Sequence, residues 1–319
     1  MTAAPPTFYT SSDERFFVGT VALVNSLRLT GHDGTVVVFD LGLTEAQRER
    51  LGAVASVETP AARDHAPKVL PASDRAAGPV VLLDSDMLVV ASLAEVLDDV
   101  ERGKICAHPD PDERWFDEWR DGFGLSAPLR RERYVNSGFV AFSVDRWPGL
   151  LERWAQANRR LPHVRGTRPE HPYRDVDQDA LNAVLMSEVP AGSVSVHPAW
   201  AHAHPDALPR LRIASERALT CMDGDHRVVI LHHSLRPKAW ERSGWQRDFR
   251  QAYIRLLPRA LFWEDVALRL EPEDVPVWLR PTMAGRLASR ALGVARAVPG
   301  LNRAAKAAIR ARAALSRSS

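Results

Sequence analysis

At 319 residues, 45% hydrophobic and 26% charged, the chain is long enough for one large core or two modest ones. Two cysteines, Cys106 and Cys221, are too few for a disulfide scaffold or a thiolate metal cluster, which points to a reducing compartment, the cytoplasm. The net charge of +2 hides an asymmetry: residues 281–319 hold eight Lys or Arg and no Asp or Glu, so the first 280 residues carry −6. An acidic body without a base-reading motif excludes nucleic acid as a partner. No apolar run approaches the ~20 residues that cross a bilayer, and the first residues lack the pattern of a secretory signal.

In chain order, Thr7–Thr10 reads as a strand, Phe16–Leu29 as an amphipathic helix and Thr35–Asp40 as a second strand. A helix follows over Thr44–Ala53, where Thr44 and Gln47 have capping-box spacing. Val80–Leu83 is a further apolar strand, and the alternation predicts parallel strands covered by helices. Residues 108–134, dense in Pro, Asp, Arg and Trp, read as an irregular excursion. There Trp115 and Trp119 have the spacing of one helical face, packed in a core or offered as a sugar platform. Val135–Phe142 is a loop running into a strand. Helices are predicted from about Arg146 to Arg159 and over Gln178–Met186, with a charged loop between them. Ligands of such sheets collect at the carboxyl ends of the strands, where Ser11-Ser12-Asp13 and Asp84 both fall.

Two segments carry chemistry. In Pro79–Val90, Asp84 and Asp86 flank Ser85 inside an apolar run. On one continuous strand both carboxylates project the same way, and a divalent cation offsets their repulsion. The alternative is a strand that ends at Asp84 and turns through Ser85 and Asp86. Hard carboxylate ligands suit Mn²⁺ or Mg²⁺ shared with substrate phosphates. Further on, Val228–Leu231 delivers His232 and His233 into a loop with Arg236, Lys238 and Trp240. Imidazole is an acceptable Mn²⁺ ligand and the cations suit a diphosphate; ordinary strand-end histidines and a solvated lysine are the other reading.

Together, the two segments resemble the family 8 glycosyltransferases, the GT-A-fold group that includes glycogenin and bacterial lipopolysaccharide galactosyltransferases. Asp84-Ser85-Asp86 matches their Asp-x-Asp, and His232, Lys238 and Trp240 match their late His-x5-Lys-x-Trp. Tyr9–Phe16 is similar to the family's first strand and nucleotide loop, Asn136-Ser137-Gly138 to its Asn-x-Gly, and Asp177-Gln178-Asp179 to its Asp-Gln-Asp. The resemblance implies an α/β, Rossmann-like nucleotide-diphosphosugar transferase fold over residues 1–280, with a mainly parallel central sheet. It implies a retaining hexosyltransferase that uses a UDP-sugar donor and a hydroxyl acceptor on a glycan, a lipid-linked molecule or a small molecule. The implied Mn²⁺ or Mg²⁺ ligands are Asp84, Asp86 and His232, and Lys238 contacts the diphosphate. Ser11 and Asp13 sit beside the base, Asn136 and Asp177 bind the sugar, and Gln178 lies near the anomeric carbon. Each of these has a plainer reading as well, Asp13 and Asp177 as helix caps and Asn136 as a turn residue.

Departures from the pattern are Leu235 for a glycine, Ala239 for a proline and Glu14-Arg15 for an acidic-asparagine pair. Lys68 stands in for an arginine-bearing helix. A non-catalytic sugar-nucleotide-binding protein of the same fold is the alternative function; a nucleotidyltransferase would need a Gly-rich loop near the first strand, where none is found. Residues 281–319 are expected to form one or two basic amphipathic helices at the inner face of a membrane, with Leu287, Ala291, Val294 and Val298 as the apolar stripe; a helix packed on the body or a flexible basic tail are the alternatives.

Overall fold

The computed structural model describes residues 5–60, 77–161, 170–241, 243 and 251–297. Lys68, Val298 and the basic positions beyond it lie outside the described residues.

A seven-stranded sheet forms the centre. Its strands are β1 (Thr7–Ser12), β2 (Val36–Asp40), β3 (Ser56–Glu58), β4 (Pro79–Leu83), β6 (Ile105–Pro109), β7 (Val135–Ser143) and β8 (Val194–Val196), in the order β3-β2-β1-β4-β7-β6-β8. All neighbouring pairs are parallel except the two that β7 makes, with β4 and β6. Alternation sorts the apolar runs between two cores. Phe8, Val36, Val38, Val81 and Leu83 face one side, and Tyr9, Val37, Phe39, Val80 and Leu82 the other. Both faces are covered, which is why these strands read as unbroken apolar stretches.

Helix Phe17–Leu29 covers the first face with helix Ala252–Phe262, whereas helices Leu150–Arg159 and Val176–Ser187 cover the second. Eleven of the 13 residues of Phe17–Leu29 are buried. Asn25, in its middle, donates from Nδ2 to the carbonyls of Ala260 (2.7 Å) and Leu268 (2.8 Å) and accepts from the Leu268 N–H (2.9 Å). One amide thereby ties the start of the chain to its C-terminal part.

Most predicted elements form close to their expected places. The Thr44–Gln47 capping box starts the helix Glu45–Gly52, and the predicted 146–159 helix begins only at Leu150, after Pro148-Gly149. The Trp pair does not share a helical face. The helix there is only Trp119–Gly122, with Trp119 fully buried in the second core and Trp115 ahead of it, its ring under the Arg131 guanidinium. Trp119 is a core residue and not a sugar platform.

Two small sheets complete the fold. One consists of β10 (Arg212–Ser215), β11 (Thr220–Asp223) and β12 (His226–Arg227). The other joins β5 (Met87–Val89), β13 (Ile230–His232) and β9 (His202–Ala203). In the latter, β13 falls on the apolar run read at Val228–Leu231 and β5 within the Pro79–Val90 run, whereas β9, two residues long, carries no period of its own. Helix Met283–Ala297 ends the described chain, and none of the described helices is long and apolar enough to cross a membrane.

Candidate active site

Strand directions bring the site together. β1 and β4 run parallel, so Ser11-Ser12 and Asp84 emerge at the same rim of the sheet. β7 runs the other way, with Leu83 opposite Phe139, so its first residues, Asn136 to Gly138, meet the end of β4. β6, antiparallel to β7, ends there too and delivers Asp110.

Asp84 and Asp86 are not on one continuous strand. β4 ends at Leu83, the chain turns through Ser85 and Asp86, and β5 begins at Met87 in the other sheet. The turn, and not strand alternation, brings the carboxylates together. β13 pairs antiparallel with β5, placing His232 opposite Met87 and therefore beside Asp86. His232 Nε2 lies 3.3 Å from Asp86 Oδ1 and 3.7 Å from Asp84 Oδ2.

Asp86 Oδ1 is buried and has no hydrogen-bond partner. The ligand atoms of Asp84, Asp86 and His232 all lie within 4.8 Å of one another. Two carboxylates and one imidazole around an orphaned buried oxygen fit a hard divalent ion such as Mn²⁺ or Mg²⁺.

Lys238 sits deeper than its expected role suggests. It is 2% exposed, and its ammonium donates to Asp86 Oδ2 and to the His233 carbonyl. Burial alone would raise the Asp86 carboxyl, but the neighbouring His232 and the charge and hydrogen bond of Lys238 outweigh it and hold it well below the usual carboxylate range. Trp240 closes the corner. Its indole donates to the Arg15 carbonyl (2.7 Å), and a Cβ on Gly19 would come within 2.6 Å of its ring and 2.5 Å of the Ser85 carbonyl.

Two cavities meet at the carboxylates, both bordered by Asp84, Asp86 and Ser234. The smaller, about 310 Å³, is lined by Ser11, Asp13, Ser85, Arg236 and Lys238 among others. Asp13 is also a structural residue, because its Oδ1 accepts the N–H groups of Arg15 (2.9 Å) and Phe16 (3.0 Å) ahead of the first helix.

The larger cavity, about 510 Å³, contains Asn136, Asp177 and Gln178. Asp110, not picked out from the sequence, organises it: Oδ2 accepts from Asn136 Nδ2 (2.8 Å) and Gln178 Nε2 (3.1 Å). Asn136 Oδ1 accepts from Gly138 N (2.9 Å), and Gln178 Oε1 from Ser137 N (3.0 Å). Both amides are therefore fixed in orientation. A Cβ at Gly138 would lie 2.7 Å from Asn136 Oδ1 and 2.8 Å from Asp84 Oδ2, so any side chain there must displace them. Asp177 Oδ2 accepts from the Ser137 hydroxyl at 3.3 Å. The adjacent Asp179 is structural, fully buried against Arg114 and Tyr134. Among the described residues, seven aspartates and one arginine, Arg174, line this cavity.

The site therefore assembles two groups of expected residues: Ser11, Asp13, Ser85 and Lys238 on one side, Asn136, Asp177 and Gln178 on the other, with the Asp84–Asp86–His232 triad between. Missed residues are Asp110, Asp112, Arg174, Asp206 and His204. The one sequence cue was Pro109-Asp110-Pro111-Asp112 directly after an apolar strand. His204, mostly buried beside His232, is pushed down to about 4 by burial and then by the neighbouring His232 charge.

No protein-family model matches the chain, and no curated protein matches it in sequence. Solved structures do resemble it. The bifunctional glycosyltransferase WbbM aligns over 81% of this chain with a TM-score of 0.53 at 17% identity, and the chain spans 50% of WbbM. The galactosyltransferase LgtC, solved with donor and acceptor sugar analogues, aligns over 82% of this chain and 98% of its own, with a TM-score of 0.50 at 17% identity. An active-site mutant of LgtC gives 0.51 over the same shares. The chain has the GT-A glycosyltransferase fold. The α/β class and the mainly parallel sheet expected from the sequence are therefore borne out.

Proposed function

We propose that this chain is a family 8-like, metal-dependent retaining glycosyltransferase that moves a neutral hexose from a UDP-sugar to an acceptor hydroxyl. The observation that carries the reading is the meeting of two polar cavities at Asp84 and Asp86, with His232 beside these carboxylates and a buried lysine alongside. A nucleoside fits the smaller cavity beside Ser11 and Asp13, the sugar and acceptor fit the larger one, and the diphosphate crosses the carboxylates. A Mn²⁺ or Mg²⁺ held by Asp84, Asp86 and His232 supplies positive charge to the departing diphosphate. Lys238, within the same cluster, adds a fixed point charge where negative charge develops.

Asn136, Asp177 and Gln178 orient the sugar hydroxyls. Gln178 is no covalent nucleophile, because an amide is weak in that role and its oxygen is committed to the Ser137 N–H. Front-face attack follows: the acceptor oxygen bonds the anomeric carbon as the bond to diphosphate breaks, and the acceptor proton passes to the leaving phosphate oxygen. Among the described residues of the larger cavity, seven carboxylates against one arginine disfavour an anionic sugar. The test is incubation with Mn²⁺ and a panel of nucleotide sugars, followed by proton NMR of the first product. An α-linked product from an α-linked neutral UDP-hexose supports the reading. Tight binding of every donor without hydrolysis or transfer supports the non-catalytic alternative, and a β-linked product refutes retention.

Contact with an anionic membrane is part of the same proposal. Met283, Leu287 and Val294 are 75%, 60% and 62% exposed, fall on one side of helix Met283–Ala297, and share it with Arg290. An apolar stripe beside arginines suits acidic lipid headgroups. Co-sedimentation with anionic vesicles should be lost on deleting residues 281–319.

A further inference from the structure

Behind the carboxylates, His232 faces a second set of donors. Its Nε2 looks toward Asp84 and Asp86, while its Nδ1 lies 3.2 Å from His202 Nε2. β9 runs parallel to β13 with His202 opposite Ile230, which carries His204 alongside His232. The three imidazoles bring one nitrogen each within 4.8 Å of the others. Imidazoles on one tetrahedral ion, at nitrogen–metal distances of about 2.0–2.1 Å, hold their nitrogens about 3.3 Å apart. The His202–His232 pair, which shares a hydrogen bond at 3.2 Å, already has that separation.

The Pro109 backbone lies near the His204 ring, and His204 Nε2 is buried with no hydrogen-bond partner. A buried imidazole nitrogen without a hydrogen-bond partner is open to a metal ion. His204 and His232 also border the larger cavity, which gives an ion an entry route and a place for a water as fourth ligand.

We propose that His202, His204 and His232 form a nitrogen-rich site for a borderline divalent ion of the zinc class, distinct in chemistry from the oxygen-rich Asp84–Asp86 pair. Three imidazoles with one open position suit Zn²⁺, whereas hard Mg²⁺ prefers oxygen. The two sites share one ring. A neutral imidazole carries a single proton, so an ion on Nδ1 leaves that proton on Nε2 and withdraws this nitrogen from the carboxylates. Zn²⁺ therefore antagonises Mn²⁺. That coupling rests on the proposed Asp84–Asp86–His232 triad, whereas the zinc site itself does not.

The test uses the full-length protein stripped of metal. Zn²⁺ is titrated in competition with a chromophoric chelator, and Co²⁺ is titrated as a spectroscopic probe. We expect a single Zn²⁺ per chain and the intense visible bands of four-coordinate Co²⁺. His204→Ala and His202→Ala should each weaken Zn²⁺ at least about 100-fold, and Asp84→Asn less than about threefold. Equal loss in Asp84→Asn and His204→Ala, or only the weak spectrum of six-coordinate Co²⁺, overturns the proposal. Should His202→Ala fail to fold by circular dichroism, His204→Ala decides alone, since its ring lies at the cavity wall. In a second arm, Mn²⁺ binding is followed by electron paramagnetic resonance, and saturating Zn²⁺ should weaken it at least about tenfold. Absence of Mn²⁺ binding even without Zn²⁺ counts against the acidic triad and leaves the zinc titration to be judged on its own.

Discussion

The two cavities that meet at Asp84 and Asp86 are built on opposite plans. On the larger side, polar groups are held by one another: Asp110 fixes the amides of Asn136 and Gln178, and each amide accepts a backbone N–H. On the smaller side, one buried ion pair, Lys238 with Asp86, anchors the cluster. A ligand rich in hydroxyls needs many directed partners set in advance, whereas a diphosphate needs charge at short range. The contrast predicts that damage on one side spoils orientation and damage on the other spoils charge balance.

The sharpest test compares the two carboxylates. Asp84→Ala and Asp86→Ala should both reduce transfer at least about 1000-fold by removing a metal ligand. Only Asp86→Ala should also cost stability, on the order of 3 kcal/mol, because it leaves the Lys238 ammonium buried without its partner. Thermal melts of the two variants separate these effects, and equal melting points would show that Lys238 escapes to water. Next in size, Gly138→Ala should lower kcat about 100-fold on the hydroxyl side, since its methyl displaces Asn136 and Asp84 together. Steady-state kinetics should show weaker affinity for the nucleotide diphosphate as well, because Asp84 borders both cavities and is a proposed metal ligand. Asp110→Asn should have a smaller effect, about tenfold on kcat/KM for the sugar donor, as its new amide meets the Asn136 and Gln178 donors head-on. UDP binding by calorimetry should be unaltered. Smallest of all, Thr44→Ala should cost about 1 kcal/mol in denaturant unfolding by opening a capping box remote from both cavities, with transfer unchanged.

The same division governs what could be read from the sequence. β1, β2 and β4 were visible because burial on both faces makes them continuous apolar runs, and the capping box because Thr44 and Gln47 are local to one turn. The Asp84–Asp86 corner was visible as composition, but its geometry was not, since a turn and a strand continuation both bring the carboxylates together. Asp110 and His204 were out of reach for a different reason. Each is functional only through a neighbour delivered by another part of the chain, Asp110 by the pairing of β6 with β7 and His204 by that of β9 with β13. A strand as short as His202–Ala203 gives no periodic signal, so nothing in its own residues announces that it will stand beside His232. The helix Ala252–Phe262, with Pro258 inside it, is equally hidden, because proline interrupts the pattern that marks a helix.

Asn25 bears on how the molecule is made. The helix that carries it is apolar on nearly every side, and the carbonyls of Ala260 and Leu268 that its amide needs are 235 and 243 residues further along the chain. At about 5–20 residues per second on the ribosome, these partners emerge roughly 10–50 s after the helix itself. For that interval the nascent N-terminal half exposes a sticky helix whose covering has not been synthesised. Chains stalled near residue 240 should accordingly be digested rapidly by protease and recruit chaperones, whereas chains released at full length should resist.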